Sequence, residues 1–249
     1  FILVDDLKAF RVRKVFTAGR LIAEDGRVLI PLDDAAAGAP SHSIHLKPLA
    51  EDALSLPVRT GKARVIGIEP ASLVTKSLVR EVKTDDAGCF QSALNPGLTK
   101  IAVIERHKRT GKRGIGILEG YGLTGGAIAT TISHDSHNIV VAGDNDPDML
   151  LAVRELADMG GGIVSVHGGA IRRLPLPIAG LMTSADPQEV NAVLHDMLVA
   201  ARAELGIPED VEPFMTLSFM ALPVIPELKL TARGLFNVNT FSFVGVEAD

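Results

Sequence analysis

Six consecutive polar residues, Ser133-His134-Asp135-Ser136-His137-Asn138, carry the densest chemistry in the chain. Each imidazole can act as acid, base or metal ligand near neutral pH, and Asp135 can orient one. Ser133, Ser136 and Asn138 can pair with the edge of a polar ring. The run follows a glycine-rich apolar stretch, Gly122 to Ile132, and precedes the β-branched run Ile139-Val140-Val141. Polar groups set between segments that read as buried cost free energy unless each finds a partner. The cluster is therefore either a satisfied hydrogen-bonded strand end beside a loop, or a group facing a cleft and doing chemistry. In an extended segment His134 and Ser136 would point one way, and Asp135 and His137 the other. A turn is needed to bring them together. His134, Asp135 and His137 are the candidates for proton transfer or substrate contact. Ser133, Ser136 and Asn138 are candidates for substrate binding.

A second charged stretch, Glu105-Arg106-His107-Lys108-Arg109, follows the apolar run Ile101 to Ile104. Charged residues at a strand end can reach a cleft, which adds Glu105 and His107 to the substrate-binding candidates. The plainer reading, with Gly111-Lys112 close behind, is a solvated turn. His167, before Gly168-Gly169, reads as a turn residue, and His195 as a structural one. The chain has no HExxH and no P-loop. It also lacks the His-x-Glu and Pro-Cys-x-x-Cys pair of cytidine-deaminase-type zinc enzymes. A hydrolytic metal site needs three or more ligands and an open position, and no such set is apparent in this chain.

The elements around these residues are well punctuated. Residues 1–32 read as strands, with a hairpin at Glu24-Asp25-Gly26-Arg27. Residues 33–48 read as a linker, small and Pro-punctuated, and 49–249 as a second domain. In that domain strands are expected over 63–68, 73–82, 100–105, 114–118, 128–132 and 138–141. A hairpin is expected from 162–166 and 170–174. A helix is expected from about Pro147 to Met159, capped by Asp146 and stopped by Gly160. Another runs from about Pro187 to Leu205, capped by Asp186 and stopped by Gly206. Clustered strands with inserted helices indicate an α+β fold: a short β-appendage, then a mixed-sheet domain with two main helices.

Composition narrows the function. With 249 residues and 47% hydrophobic content the chain can bury a large core. A net charge of −5 without a basic patch argues against nucleic acid. Cys89 is the one cysteine, so no disulfide framework exists, which fits a reducing compartment and a cytoplasmic location. The longest apolar stretch, Phe214 to Ile225, contains Ser218 and Pro223 and is too short to span a bilayer, so no membrane partner is expected. It reads as core, or as an interface. The opening Phe1-Ile2-Leu3-Val4-Asp5-Asp6 reads as a strand entered at its beginning, so the chain is expected to be the C-terminal part of a longer polypeptide.

Longer strings carry a resemblance. ISHDSHNIVVAGDNDPDMLLAV (132–153), GGG (160–162), LPLPIAGLM (174–182) and PFMTLSFMALPVIPELKLTARGLF (213–236) closely resemble the C-terminal region of bacterial adenine deaminases, in the amidohydrolase superfamily. ERHKRTGKRGIGILEGYGLTGGAIA (105–129) fits the same pattern, and the opening strands are similar to the β-sandwich to which amidohydrolase chains return after their barrel. The resemblance implies hydrolytic deamination of adenine to hypoxanthine and ammonia. It implies manganese or iron held in an N-terminal (β/α)8 barrel that this chain lacks. It also implies that this portion supplies a wall, a lid or purine-edge contacts. The partners would be adenine, that barrel and, in a homo-oligomer, further copies. The alternatives are the C-terminal part of another purine or cyclic-amide amidohydrolase, or a non-catalytic oligomerisation module.

Overall fold

Three helices start in the same way, with a side-chain cap followed by proline. The computed structural model describes residues 1–31 and 40–248. It divides into two units, 1–38 and 39–249. In the first unit β1 (Ile2–Val4), β2 (Val12–Thr17), β3 (Arg20–Glu24) and β4 (Arg27–Val28) form an antiparallel meander. Asp25 and Gly26 both have positive φ, 47° and 79°, as the tight turn at this hairpin requires. The linker expected over 33–48 falls partly outside the described residues. Its described part, 40–48, is bound to the second unit: the His45 amide donates to the Arg106 carbonyl at 2.6 Å, and Ile44 and Leu46 pack on its core.

The second unit is built on eight strands: β5 (Lys62–Ile68), β6 (Thr75–Glu81), β7 (Leu98–Ile104), β8 (Arg113–Glu119), β9 (Gly126–Thr130), β10 (Ile139–Gly143), β11 (Gly162–His167) and β12 (Ala170–Pro175). Their order is β12-β11-β9-β10-β7-β8-β5-β6, antiparallel except for the parallel pair β5–β8. The fold is α+β with a mixed sheet. Side chains alternate between its faces, as a two-residue period demands. Val140 and Ala142 join one core, and Ile139 and Val141 the other.

Helix α1 (Asp146–Asp158) covers the face of Ile139 and Val141 with Met149, Leu150, Val153 and Leu156. Burying each such side chain stabilises the fold by about 1.5–3 kcal/mol. Its cap is Asn145, whose side chain accepts from the Asp148 amide at 2.9 Å, rather than the expected Asp146. Asp146 instead pairs with the buried Lys100 ammonium at 2.5 Å. The opposite face takes α2 (Pro187–Ala203), capped by Asp186 as expected, and α3 (Pro213–Met220), capped by Glu212. It also takes residues of a small sheet, β13 (Leu228–Thr231), β14 (Gly234–Asn237) and β15 (Ser242–Val244). That sheet lies close to β8 because Gly114 has no side chain; a Cβ there would fall 2.1 Å from the Thr231 carbonyl oxygen. Neither α3 nor β13–β15 was anticipated from the sequence.

Candidate functional site

Residues 131–138 join the neighbouring antiparallel strands β9 and β10 and fold into a turn. His137 has φ +47°, and its amide donates to the Ser133 carbonyl at 2.5 Å, closing the turn. The two imidazoles that an extended chain would separate come together, with ring centroids 6.0 Å apart in an edge-on arrangement. Asp135 and Ser136 are exposed, His134 and His137 half-buried, and Ser133 and Asn138 buried.

Three elements fasten this turn. The His134 amide donates to the Ser218 carbonyl at 3.0 Å, and the His134 ring packs against Phe219, tying the turn to α3. His107 meets the Ser136 carbonyl through Nε2 at 2.8 Å. Arg106 donates through Nε to the His137 carbonyl. Glu105 lies apart from the turn's side chains. Its carboxylate accepts from the His107 amide at 2.6 Å, the Lys108 amide at 2.7 Å and the Thr110 hydroxyl at 2.7 Å, shaping the loop that delivers His107. Burial pushes the Glu105 carboxyl up, but these hydrogen bonds outweigh it and hold the group down at about 2.

Burial holds the His137 imidazole below its ordinary value, with the neighbouring His134 and Arg106 adding to the shift and Asp135 opposing it. His137 is thus neutral near pH 7 and keeps a ring nitrogen able to accept a proton. Among the described residues no protein group pairs with Ser133 Oγ, His137 Nδ1 or Asn138 Oδ1, although all three atoms are buried. Three unpartnered polar atoms in one turn are a costly concentration. A cleft of about 390 Å³ is lined by His134, Ile132, Ile163, Leu194, Phe214 and Phe219, with Glu212 also facing it; of the 133–138 turn, His134 is the residue that lines it. An apolar cleft with a few polar groups suits a flat, partly polar ring.

The donor set does not suit a metal. Among the described residues no group of three or more His, Cys, Asp or Glu side chains converges to hold one. Nor is any helix among them long and apolar enough to cross a membrane.

Residues 72–242 match the model of the adenine deaminase C-terminal domain. The chain belongs to that family. Among its relatives are adenine deaminase of Nitratidesulfovibrio vulgaris, 58% identical over 247 residues, and adenine deaminase 2 of Carboxydothermus hydrogenoformans, 45% identical over 249 residues. Adenine deaminase of Geobacillus kaustophilus is 43% identical over 253 residues. These alignments cover 98–100% of this chain but 43% of each relative, so the chain spans less than half their length.

In this adenine deaminase C-terminal domain, two residues that matter to the turn escaped sequence reasoning. Phe219 stood in an apolar stretch with no polar signal. Arg106 read as the solvated end of a strand, yet it is 1% exposed. The signal was present: Arg106, two residues past the end of β7, continues the alternation of Ala102 and Ile104, which face the α1 core.

Proposed function

We propose that the chain is the C-terminal portion of an adenine deaminase, which hydrolyses adenine to hypoxanthine and ammonia. The reading rests on family membership together with one structural observation: a half-exposed turn brings two imidazoles to a ring-centroid distance of 6.0 Å and sets one of them, His134, in the wall of an apolar cleft. The 133–138 turn is the part of this chain that meets the purine. His137, neutral and acceptor-capable, takes or returns a proton at a ring nitrogen or at the departing amine. Ser136 reads the polar ring edge, and His134 with Asp135 completes the contact, while Ser133 and Asn138 are buried within the turn. Glu105 and His107 contribute by shaping the neighbouring loop.

A metal, manganese or iron, held in an N-terminal barrel outside this chain would supply the hydroxide for the hydrolysis. The β1–β4 meander belongs to the β-sandwich that accompanies such a barrel. A cytoplasmic location accords with the single cysteine.

The test is reconstitution. The chain alone, given Mn²⁺ and adenine, should leave adenine absorbance changing no faster than metal alone. The same chain joined to the N-terminal portion of a relative should restore turnover. Turnover by the chain alone, or none in the joined protein, contradicts the reading.

A further inference from the structure

A buried guanidinium ordinarily faces a carboxylate, because an unpaired ion in the interior costs free energy. Arg106 is 1% exposed, yet its hydrogen bonds run to neutral oxygens on three separate stretches of chain. Nε donates to the His137 carbonyl. Nη1 donates to the Ser43 hydroxyl at 3.1 Å and the Ser43 carbonyl at 3.3 Å. Nη2 donates to the Ala179 carbonyl at 3.0 Å. An apolar side chain would fill the space more cheaply. What the planar fork adds is fixed direction, which a lysine ammonium lacks.

The backbone is fitted to this fork. Gly180 has φ +72°, and a Cβ there would lie 2.9 Å from Arg106 Nη1. The Gly180 carbonyl accepts from the Thr131 hydroxyl at 2.6 Å, and the Thr131 oxygen accepts from the Gly162 amide at 2.7 Å. Thr131 opens the segment that His137 nearly closes. Both ends of the turn are therefore anchored to one loop, at Gly180 through Thr131 and at Ala179 through Arg106.

We propose that Arg106 is the positioning residue of the 133–138 turn: it sets where His137, and with it His134, stands, without itself touching substrate. The catalytic consequence rests on the reading that this turn faces the purine. Arg106→Lys keeps the positive charge and removes the fork, so its effects report position rather than charge. The groups that set the His137 environment are His134, Arg106, Asp135 and His107.

The experiment measures, in the full-length protein, kcat/KM for adenine and the His137 ring NMR signal in histidine-labelled samples, assigned by its loss in His137→Gln. Arg106→Lys should shift the His137 signal and its titration midpoint. It should lower kcat/KM by about 10- to 100-fold, mainly through kcat, as small misplacements of reacting groups do. An unmoved His137 signal overturns the proposal, whatever happens to the melting temperature or the rate. A shifted signal with an unchanged rate upholds the positioning role and instead removes the purine-facing reading of the turn. Should Arg106→Lys fail to fold, Ser43→Ala, which deletes one hydroxyl contact, is read by the same two measurements. A smaller shift of the same signal then supports the proposal, and none overturns it.

Discussion

The ring of His134 lies 4.6 Å from that of Phe219, centroid to centroid, inclined at 46°. This contact couples the polar turn to α3, whose Ser218 carbonyl already accepts the His134 amide. An aromatic pair of this geometry contributes roughly 0.5–1.5 kcal/mol beyond area burial. Phe219→Leu keeps apolar bulk and loses the ring. It should lower stability by about 1 kcal/mol, read from urea unfolding. It should also raise KM for adenine in the full-length protein, because the imidazole loses the surface that orients it. An unchanged KM would separate the stack from substrate binding.

Glu105 gives a stability signature with a defined sign. Its carboxyl is held at about 2, below the ordinary 4.5. A depressed carboxyl contributes stability that is present above pH 4.5 and is lost as pH falls toward 2. Glu105→Gln should therefore melt earlier than the parent at pH 7, with the gap closing between pH 4.5 and 2. A gap that stays constant over this window would show that the carboxylate charge does not hold the 107–110 loop.

Lys229 gives a dependence of the same sign in a different pH window. It is fully buried on β13, with its ammonium donating to the Leu73 carbonyl at 2.9 Å. Burial brings it down from 10.5 to about 8. Below pH 8 the folded protein must carry this buried charge. Between about 8 and 10.5 the unfolded chain holds more protons, so stability rises with pH. Lys229→Met should be more stable than the parent at pH 7, by roughly 1–3 kcal/mol, and the advantage should shrink as pH approaches 10. Urea midpoints across that range decide it. A methionine variant less stable at pH 7 would mean that the Leu73 hydrogen bond outweighs the cost of burying the charge.

The particular residues explain what could be read ahead of the structure. Asp186-Pro187 and the Pro147 start, each followed by an apolar stripe and then glycine, announce α2 and α1 because caps and periodicity are local signals. Helix α3 announces nothing: Pro213, Phe214, Leu217 and Met220 are all buried, so no polar face sets a period. The strands β13–β15 are short and take their place from Gly114 on a distant strand, a relationship no local window contains. The His134–Asn138 run stood out by polar density. That it turns, placing the two imidazoles 6.0 Å apart, depends on Arg106, Thr131 and α3, none adjacent to its centre in sequence.

The central claim is that the 133–138 turn serves the substrate rather than the scaffold. The most direct measurement is kcat/KM for adenine alongside the unfolding midpoint in full-length His134→Ala, Asp135→Ala and His137→Ala. Loss of a proton-transfer group lowers rate by about 10²–10⁴-fold, whereas loss of a structural hydrogen bond costs about 1–3 kcal/mol of stability. The account predicts that His137→Ala, and His134→Ala or Asp135→Ala with it, lose at least about 100-fold in kcat/KM with small shifts in midpoint. If all three keep near-normal kinetics and unfold early, the turn is scaffold and the account is wrong.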